Sequence, residues 1–213
     1  AYEISTRDWS SDVCSSDLIG EWPIQSCRTA IAPTRRATPL PNTSGRAGRC
    51  APEVMKLFVT GAAGFIGSNY VRWLLANSDH EVTIFDKLTY AGNMESIRDL
   101  VDDRRCRFVQ GDICDADAVT AAMTSHDSVV HFAAESHVDR SIVDPYAFVR
   151  TNAFGTNVMC DVARQVGVQR FLHISTDEVY GSIDVGSFSE TNRLGPRSPY
   201  SASKASSDLI ALS

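Results

Sequence analysis

Between residues 55 and 213, short apolar runs rich in Val, Ile and Phe alternate with longer stretches in which apolar positions recur every three or four residues. The short runs are typical of strands buried on both faces, and the longer stretches are typical of helices. The pattern predicts five strands, at residues 56–60, 81–86, 106–110, 128–132 and 169–175. It predicts helices at residues 65–77, 94–102, 116–124, 146–166 and 198–212. We therefore expect one α/β domain with a doubly wound parallel sheet, whose ligand site lies at the carboxyl ends of the strands.

Residues 1–54 differ in kind, because they hold five of the eight prolines, no lysine and no sustained hydrophobic period. We expect them to be a disordered or non-native leader. Five arginines and no acid between Arg28 and Cys50 also suit an organelle transit peptide. Residues 12–18, however, resemble a translated sequencing adaptor, which would make Met55 the native start. Because Ser213 falls inside a predicted helix, we also expect the chain to be cut at that end.

Composition excludes several classes of protein. With 43% hydrophobic and 22% charged residues the chain is an ordinary globular protein, and its net charge of −6 argues against a nucleic-acid partner. No apolar stretch approaches the roughly 18 residues of a bilayer helix, so we expect no membrane span. The six cysteines form no C-x-x-C pair, and the five histidines form no ligand cluster with them. We therefore expect no metal site and no disulfide framework, and free thiols favour a cytoplasmic location.

The first predicted strand is followed at once by residues 61–67, Gly-Ala-Ala-Gly-Phe-Ile-Gly, and then by a helix. Gly61 permits a tight turn, Gly64 lets backbone N–H groups approach a pyrophosphate, and Gly67 allows close helix packing. The spacing is G-x-x-G-x-x-G instead of G-x-G-x-x-G, so the glycines alone would not distinguish a phosphate site from an ordinary turn. Because a strand and a helix flank them, we predict the phosphate-binding turn of a Rossmann-like dinucleotide site.

Asp86 ends the second predicted strand, 19 residues after Gly67. That is close to the ~20-residue spacing of a carboxylate that binds the adenosine ribose, and a carboxylate repels a 2′-phosphate. NAD is therefore favoured over NADP, although the adjacent Lys87 opposes this preference; the alternative is a solvated aspartate. Asp112 and Ile113, just past the third strand, either border the adenine or belong to a helix cap or turn.

Tyr200 and Lys204 are four residues apart, which places them on one face of the last predicted helix. A phenol with the usual pKa of about 10 is a poor base at neutral pH. A nearby ammonium and an oxidised nicotinamide both favour the phenolate, so we predict that the pKa of Tyr200 is lowered. Tyr200 could then remove a hydroxyl proton from a substrate. The alternative, an ordinary surface Tyr and Lys, loses weight beside a dinucleotide-binding turn.

Two adjacent carboxylates follow the fifth predicted strand, in the segment Ser-Thr-Asp-Glu-Val-Tyr-Gly at residues 175–181. Asp177 and Glu178 should lie at the sheet edge where ligands bind. In a desolvated cleft their pKa values should separate, so that one acts as an acid and the other as a base. The alternative is that both simply cap a turn.

Four segments, residues 86–93, 131–141, 175–181 and 198–207, resemble the dTDP-glucose 4,6-dehydratase family of the extended short-chain dehydrogenase/reductase superfamily. They are long and correctly ordered, and the resemblance covers essentially all of residues 55–213. Epimerases of the superfamily typically carry small or hydroxyl residues where this chain has Asp177 and Glu178. GDP-mannose dehydratases usually have Ser in place of the Asp.

The resemblance implies a dehydration of dTDP-glucose to dTDP-4-dehydro-6-deoxy-glucose. Tyr200 would deprotonate the 4-hydroxyl while hydride passes to NAD, with Thr176 bonded to that oxygen and Lys204 holding the nicotinamide ribose. Glu178 would remove the proton on carbon 5, and Asp177 would protonate the leaving 6-hydroxyl. Hydride would then return to carbon 6, so that NAD is regenerated in each cycle.

The resemblance also implies a binding site. Ser136 and Thr176 would contact the nucleotide sugar. The NAD site would be lined by Gly61, Gly64, Phe65, Ile66, Gly67, Asp86, Lys87, Leu88, Thr89, Asp112, Ile113, Ala133, Ala134, Thr151, Tyr200 and Lys204. Glu135 and His137 would be local hydrogen-bonding residues, and Asn152 and Thr156 would belong to a structural motif within a helix.

The family also carries further strands and a C-terminal substrate domain, and it dimerises through helices that correspond to 146–166 and 198–212. We expect the sheet to be truncated before those last strands, which leaves the fifth strand uncovered and prone to aggregation. The whole protein would be a homodimer, whereas this chain alone would bind NAD weakly at best and would not turn over. Water loss from dTDP-glucose, followed by mass spectrometry, tests that expectation. The alternatives are a non-catalytic NAD-binding remnant and a nucleotide-sugar 4-epimerase.

Overall fold

A computed structural model describes residues 54–213. The predicted leader, including the adaptor-like segment 12–18, lies outside the described residues apart from Val54. The five strands form one parallel sheet in the order β3-β2-β1-β4-β5. The strands are β1 (Lys56–Thr60), β2 (Glu81–Asp86), β3 (Cys106–Gln110), β4 (Ser128–His131) and β5 (Arg170–His173). β2 and β3 lie in succession on one side of β1, and β4 and β5 lie in succession on its other side. The strand order therefore reverses between β1 and β4, as in a Rossmann-like sheet.

The helices connect successive strands and cover both faces of the sheet. They are α1 (Phe65–Asn77), α2 (Arg98–Val101), α3 (Ala116–Met123), α4 (Val138–Val143), α5 (Pro145–Phe148), α6 (Thr156–Val166) and α7 (Pro199–Leu212). Short 3-10 turns occupy Met94–Ile97 and Asp177–Tyr180, and a π-helical segment occupies Val149–Gly155. Within residues 54–213, no helix combines the length and apolar character needed to cross a bilayer.

Two buried clusters of side chains hold the helices against opposite faces of the sheet. Leu57 and Val59 point into the cluster that includes Val71 of α1, whereas Phe58 points into the cluster that includes Met159 of α6. Successive residues of a strand face opposite sides, so a strand buried on both faces must be apolar at nearly every position. The doubly wound α/β fold predicted from the continuous apolar runs is therefore confirmed.

Several element boundaries differ from the predictions. The fifth strand ends at His173 instead of residue 175, because the chain turns there toward the 3-10 turn. The helix predicted at 94–102 is a 3-10 turn followed by the single helical turn α2, and α4 was not predicted. The helix predicted at 146–166 is continuous, but its middle is π-helical around the buried Asn152. π-helical insertions occur frequently at functional sites, and a hydrophobic pattern cannot distinguish them from α-helix.

Ser125 follows the C-terminus of α3 with a left-handed backbone, at a φ of +70°. Its side chain is exposed, and a residue with a Cβ pays a steric cost in this conformation that glycine does not pay. We expect Ser125→Gly to raise the free energy of unfolding by about 0.5–1 kcal/mol, measured by urea denaturation. Ser206→Gly, at an exposed position inside α7, is the matched control and should destabilise the chain instead. A loss of stability in the Ser125 variant would contradict the argument.

Candidate active site

A turn between β1 and α1 forms the floor of a cavity at the carboxyl edge of the sheet. Gly61 has a φ of +69°, and a Cβ there would lie 2.5 Å from the backbone nitrogen of Ala133. A Cβ on Gly67 would lie 2.6 Å from the carbonyl oxygen of Gly61. Backbone segments therefore meet at both positions, and only glycine fits. This arrangement brings the N-terminus of α1 directly against the strand edge.

The N-terminus of α1 is suited to an anion. Gly64 is the N-cap and provides no side-chain hydrogen bond, and the first turn contains no acidic residue. The first N–H groups of a helix have no partner within it and carry a partial positive charge. Phe65 and Ile66 begin the helix with side chains that are 81% and 65% exposed. A phosphate group could therefore approach these N–H groups at the cavity floor.

Asp86, the last residue of β2, is buried beside this turn. Its Oδ2 accepts a hydrogen bond from the Ala63 N–H at 3.0 Å, and its Oδ1 accepts one from the Leu88 N–H at 2.8 Å. Each oxygen keeps a lone pair for a ligand hydroxyl, so Asp86 is both an anchor of the glycine turn and a candidate ribose ligand. Leu88 has a left-handed backbone with a φ of +57° and packs its side chain into the core. Unlike Lys87 and Thr89, Leu88 does not line the cavity.

Asp112 has two partners at the end of β3. Its Oδ1 accepts the Cys114 N–H at 2.9 Å, which makes the turn that the alternative interpretation described. Its Oδ2 lies 2.7 Å from Lys87 Nζ. Burial opposes ionisation of this carboxyl, but Lys87 and the Cys114 N–H outweigh that effect and lower its pKa. The cation of Lys87 is thus paired with Asp112, which leaves it less available for a 2′-phosphate.

The cavity has a volume of about 490 Å³. It brings together most of the residues predicted to bind a cofactor or substrate: Gly61, Gly64, Phe65, Ile66, Gly67, Asp86, Lys87, Thr89, Asp112, Ile113, Ala133, Ala134, Ser136, Thr151, Tyr200 and Lys204. Thr176, Asp177 and Glu178 do not line it; they follow Ser175, which does. The structure therefore places the predicted acid and base at the rim of the cavity.

Residues 176–178, which we call the rim segment, form the N-cap and the start of the 3-10 turn Asp177–Tyr180. Thr176 is the N-cap, and its Oγ1 accepts the Glu178 N–H at 3.3 Å. Burial and then the neighbouring Asp177 charge raise the pKa of Glu178. A carboxylate with a raised pKa is a stronger base once it is ionised.

Tyr200 and Lys204 are held by the first turns of α7. The helix begins with a capping box, in which Ser198 and Ser201 bond each other's backbone N–H groups, and Pro199 occupies the first helical position. Burial raises the pKa of Tyr200; the Thr176 hydroxyl lowers it, and the charges of Glu178, Asp177 and Asp208 raise it. The predicted lowering of this pKa also depended on an oxidised nicotinamide. From the chain's own residues alone, burial first and then three carboxylate charges raise the pKa of Tyr200.

Lys204 is buried, and its Nζ donates to the carbonyl oxygen of Ile174 at 2.6 Å. Burial lowers the pKa of Lys204 to about 8, against an opposing effect of Asp208. This hydrogen bond to the residue that follows β5 holds the ammonium at the edge of the cavity. This geometry explains why Lys204 does not lower the pKa of Tyr200.

Sequence reasoning missed the full roles of two groups around the cavity. Asn152 binds both backbone groups of Glu135 and donates to Ser203 Oγ at 2.9 Å, so it fixes the loop after β4 against α7. The guanidinium of Arg140 lies over the Tyr90 ring, 3.6 Å from its centroid, and joins α4 to the loop that follows β2. The position of Asn152, a polar residue within a predicted helix, was a signal for its role. No local sequence pattern identifies the contact between Arg140 and Tyr90.

Comparison with protein families identifies relatives of this site. Residues 58–213 match the family described as GDP-mannose 4,6 dehydratase. A dTDP-glucose 4,6-dehydratase from Streptomyces antibioticus is 56% identical over 165 residues, which are 75% of this chain and 48% of the relative. The low-salt glycan biosynthesis protein Agl12 of Haloferax volcanii is 52% identical over 159 residues, 75% of this chain and 51% of that protein. The chain thus spans about half the length of the curated relatives it matches.

Solved structures agree with the sequence relatives. DesIV, a dTDP-glucose 4,6-dehydratase from Streptomyces venezuelae crystallised with NAD and TYD, superposes with a TM-score of 0.72 at 52% identity, over 73% of this chain and 50% of DesIV. The UDP-Glc/GlcNAc 4-epimerase of Campylobacter jejuni superposes with a TM-score of 0.69 at 34% identity, over 73% and 47% of the two chains. The predicted resemblance to dTDP-glucose 4,6-dehydratases is confirmed. The chain belongs to the GDP-mannose 4,6 dehydratase family.

Proposed function

We propose that this chain supplies the NAD-binding and catalytic part of a dTDP-glucose 4,6-dehydratase. The observation that carries the proposal is one sheet edge that combines a glycine turn, a ribose-binding carboxylate, the Tyr200–Lys204 pair and two adjacent carboxylates. The substrate is proposed from the names of the relatives with 51–56% identity. The product is dTDP-4-dehydro-6-deoxy-glucose, formed with net loss of one water.

The residues of the cavity fit NAD. Gly61 and Gly67 leave room where a Cβ would collide with backbone, and the N-terminus of α1 lies open to a pyrophosphate. Asp86 offers carboxylate lone pairs to a ribose diol, and its negative charge disfavours a 2′-phosphate. When bound, NAD takes up a hydride and returns it within the same turnover, and its positively charged ring favours a phenolate at Tyr200.

The chain's own residues then have distinct tasks. Tyr200 removes the proton of the 4-hydroxyl, and Thr176, which lies beside the phenol, bonds the same oxygen. Glu178 takes the proton of carbon 5, which a ketone at carbon 4 makes acidic, and carbon 5 regains a proton when the hydride is returned to carbon 6. Asp177 gives a proton to the departing 6-hydroxyl. The raised pKa of Glu178 brings its carboxyl closer to neutral pH, which suits proton transfer. The assignment of Glu178 as the base and Asp177 as the acid comes from the resemblance.

Asp177 and Glu178 distinguish dehydration from epimerisation. An epimerase needs only oxidation and reduction at carbon 4, so it requires no acid and base for carbons 5 and 6. A non-catalytic NAD-binding remnant would require neither this pair nor Tyr200. Inversion at carbon 4 without water loss would support the epimerase instead.

The experiment that tests the proposal is a hybrid enzyme. Residues 55–213 are joined to the remaining part of the Streptomyces antibioticus relative, which is 56% identical over the matched region. We expect the purified hybrid to convert dTDP-glucose to a product that has lost one water, measured by mass spectrometry. The control hybrid carries Tyr200→Phe and should lose at least about 100-fold in rate. A folded hybrid that binds NAD but releases no water would contradict the proposed activity.

We also propose that the whole protein is a cytoplasmic homodimer. Tyr146 and Leu209 expose apolar side chains on α5 and α7, at 85% and 60%, on helices that the resemblance assigns to subunit contact. Cys106, Cys114 and Cys160 are free thiols, which suits a reducing compartment. Sedimentation of the same hybrid should give the mass of a dimer.

A further inference from the structure

A polar cluster around Asp208 includes Ser175, which also lines the cavity. Asp208 is one helical turn after Lys204 on α7, so the two side chains share a face of the helix. Asp208 Oδ2 accepts a hydrogen bond from Ser175 Oγ at 2.6 Å. Ser175 immediately precedes Thr176, Asp177 and Glu178 in the chain. Asp208 therefore links the helix that carries Tyr200 and Lys204 to the segment that carries the proposed acid and base.

The other carboxylate oxygen of Asp208, Oδ1, has no hydrogen-bond donor comparable to Ser175 Oγ among the described residues. Oδ1 is buried and accepts no hydrogen bond from any described residue. His173 Nε2 lies 3.1 Å from Oδ1, but its hydrogen bond is with Ser207 Oγ, also at 3.1 Å. The Asp208 side chain is only 16% exposed. A carboxylate with one free oxygen in a desolvated place acts strongly on a nearby cation, because little water screens it.

The charged and titratable groups that face Lys204 leave Asp208 as its principal counter-charge. From β4, His131 is fully buried, and burial together with His173 and Lys204 lowers its pKa well below the usual value, so it is neutral near pH 7. From α7, Tyr200 is a neutral phenol whose pKa is raised. From β5 comes His173, which contacts Asp208 itself. Of the groups that act on Lys204 after burial, Asp208 is the one that favours its charged form.

We propose that Asp208 is a positioning residue of the active site, which holds the 175–178 segment against α7 through Ser175 and serves as the counter-charge of the Lys204 ammonium. Its relevance to catalysis rests on the proposed function, in which Lys204 must stay cationic beside the nicotinamide ribose. The contacts themselves belong to the chain alone, so they can be tested without turnover. Failure of the hybrid enzyme would therefore leave this proposal open to its own test.

The test is a pH titration of the lysine side chains by NMR in the complete 213-residue chain. The chain has three lysines, Lys56, Lys87 and Lys204, so ¹³Cε labelling gives three signals, and the one missing from Lys204→Arg identifies Lys204. We expect that signal to titrate near the pKa of about 8. Asp208→Asn keeps an acceptor for Ser175 but removes the charge, and it should lower the pKa of Lys204 by about one unit.

Three further variants separate charge, tether and fold. Asp208→Glu retains the charge and should restore the pKa of Lys204 toward the wild-type value. Ser175→Ala removes the tether but not the charge; it should accelerate amide hydrogen exchange at residues 176–178 and change the pKa of Lys204 less than Asp208→Asn does. Asp161→Asn, at an exposed acid on α6 paired with Arg164, is the control and should change neither.

Two results would overturn the proposal. One is an unchanged pKa of Lys204 in a folded Asp208→Asn variant together with unchanged exchange in Ser175→Ala. The other is unfolding of both Asp208→Asn and Asp208→Glu, since a residue needed for the fold whatever its charge acts structurally and not as a counter-charge.

Discussion

Gly61→Ala is expected to lower the free energy of unfolding by about 3 kcal/mol or more. The added Cβ would lie 2.5 Å from Ala133 N and 2.7 Å from Ala133 Cα. These are backbone atoms next to β4, so neither side can yield without pulling β1 and β4 apart. The φ of +69° adds a steric cost for any residue with a Cβ.

Gly167→Ala isolates the effect of the collision. Gly167 also has a positive φ, of +81°, but a Cβ there would meet nothing within 4 Å. Its substitution should cost only about 1 kcal/mol. Urea denaturation of the wild-type chain and the two variants measures the difference. Equal losses at the two glycines would mean that backbone conformation, and not the contact with Ala133, determines the requirement at Gly61.

The strands and the glycine turn could be predicted because their signals are local. Leu57, Phe58 and Val59 are consecutive and apolar, which only a strand buried on both faces requires. Gly61, Gly64 and Gly67 lie at the junction of that strand and the following helix. Their spacing was therefore enough to predict the turn without knowledge of any tertiary contact. Other residues that line the cavity, such as Phe65, Ala133 and Thr151, followed from the resemblance to a family.

Features that depend on tertiary packing could not be predicted in this way. The π-helical segment arises where Asn152 reaches Glu135 and Ser203, which are 17 and 51 residues away in the chain. The pKa of Tyr200 is raised first by burial and then by the charges of Glu178, Asp177 and Asp208, and both effects depend on how the chain folds around the phenol. Spacing alone suggested Lys204 as the partner of Tyr200, whereas the fold directs the ammonium to Ile174.

The proposed roles of Asp177 and Glu178 lead to the second large expected effect, measured in the hybrid enzyme. Glu178→Gln should reduce water loss by about 10²–10⁴-fold, because no base remains for carbon 5. It should also stop deuterium from entering carbon 5 from heavy water. Asp177→Asn should reduce water loss by a similar factor while deuterium still enters carbon 5, since the base remains. Asp184→Asn, an exposed acid in the loop that follows, is the matched control and should leave both rates unchanged.

The pH dependence of the residual rate tests the assignment further. Glu178 must be ionised to act as a base, so the rate rises with pH through its pKa. Burial and the Asp177 charge raise that pKa, which places the acid limb above the pH of an ordinary glutamate. Asp177→Asn removes the like charge and should move the acid limb of kcat/KM to lower pH. An acid limb that moves to higher pH, or deuterium exchange that survives in Glu178→Gln but not in Asp177→Asn, would reverse the two roles and make Asp177 the base.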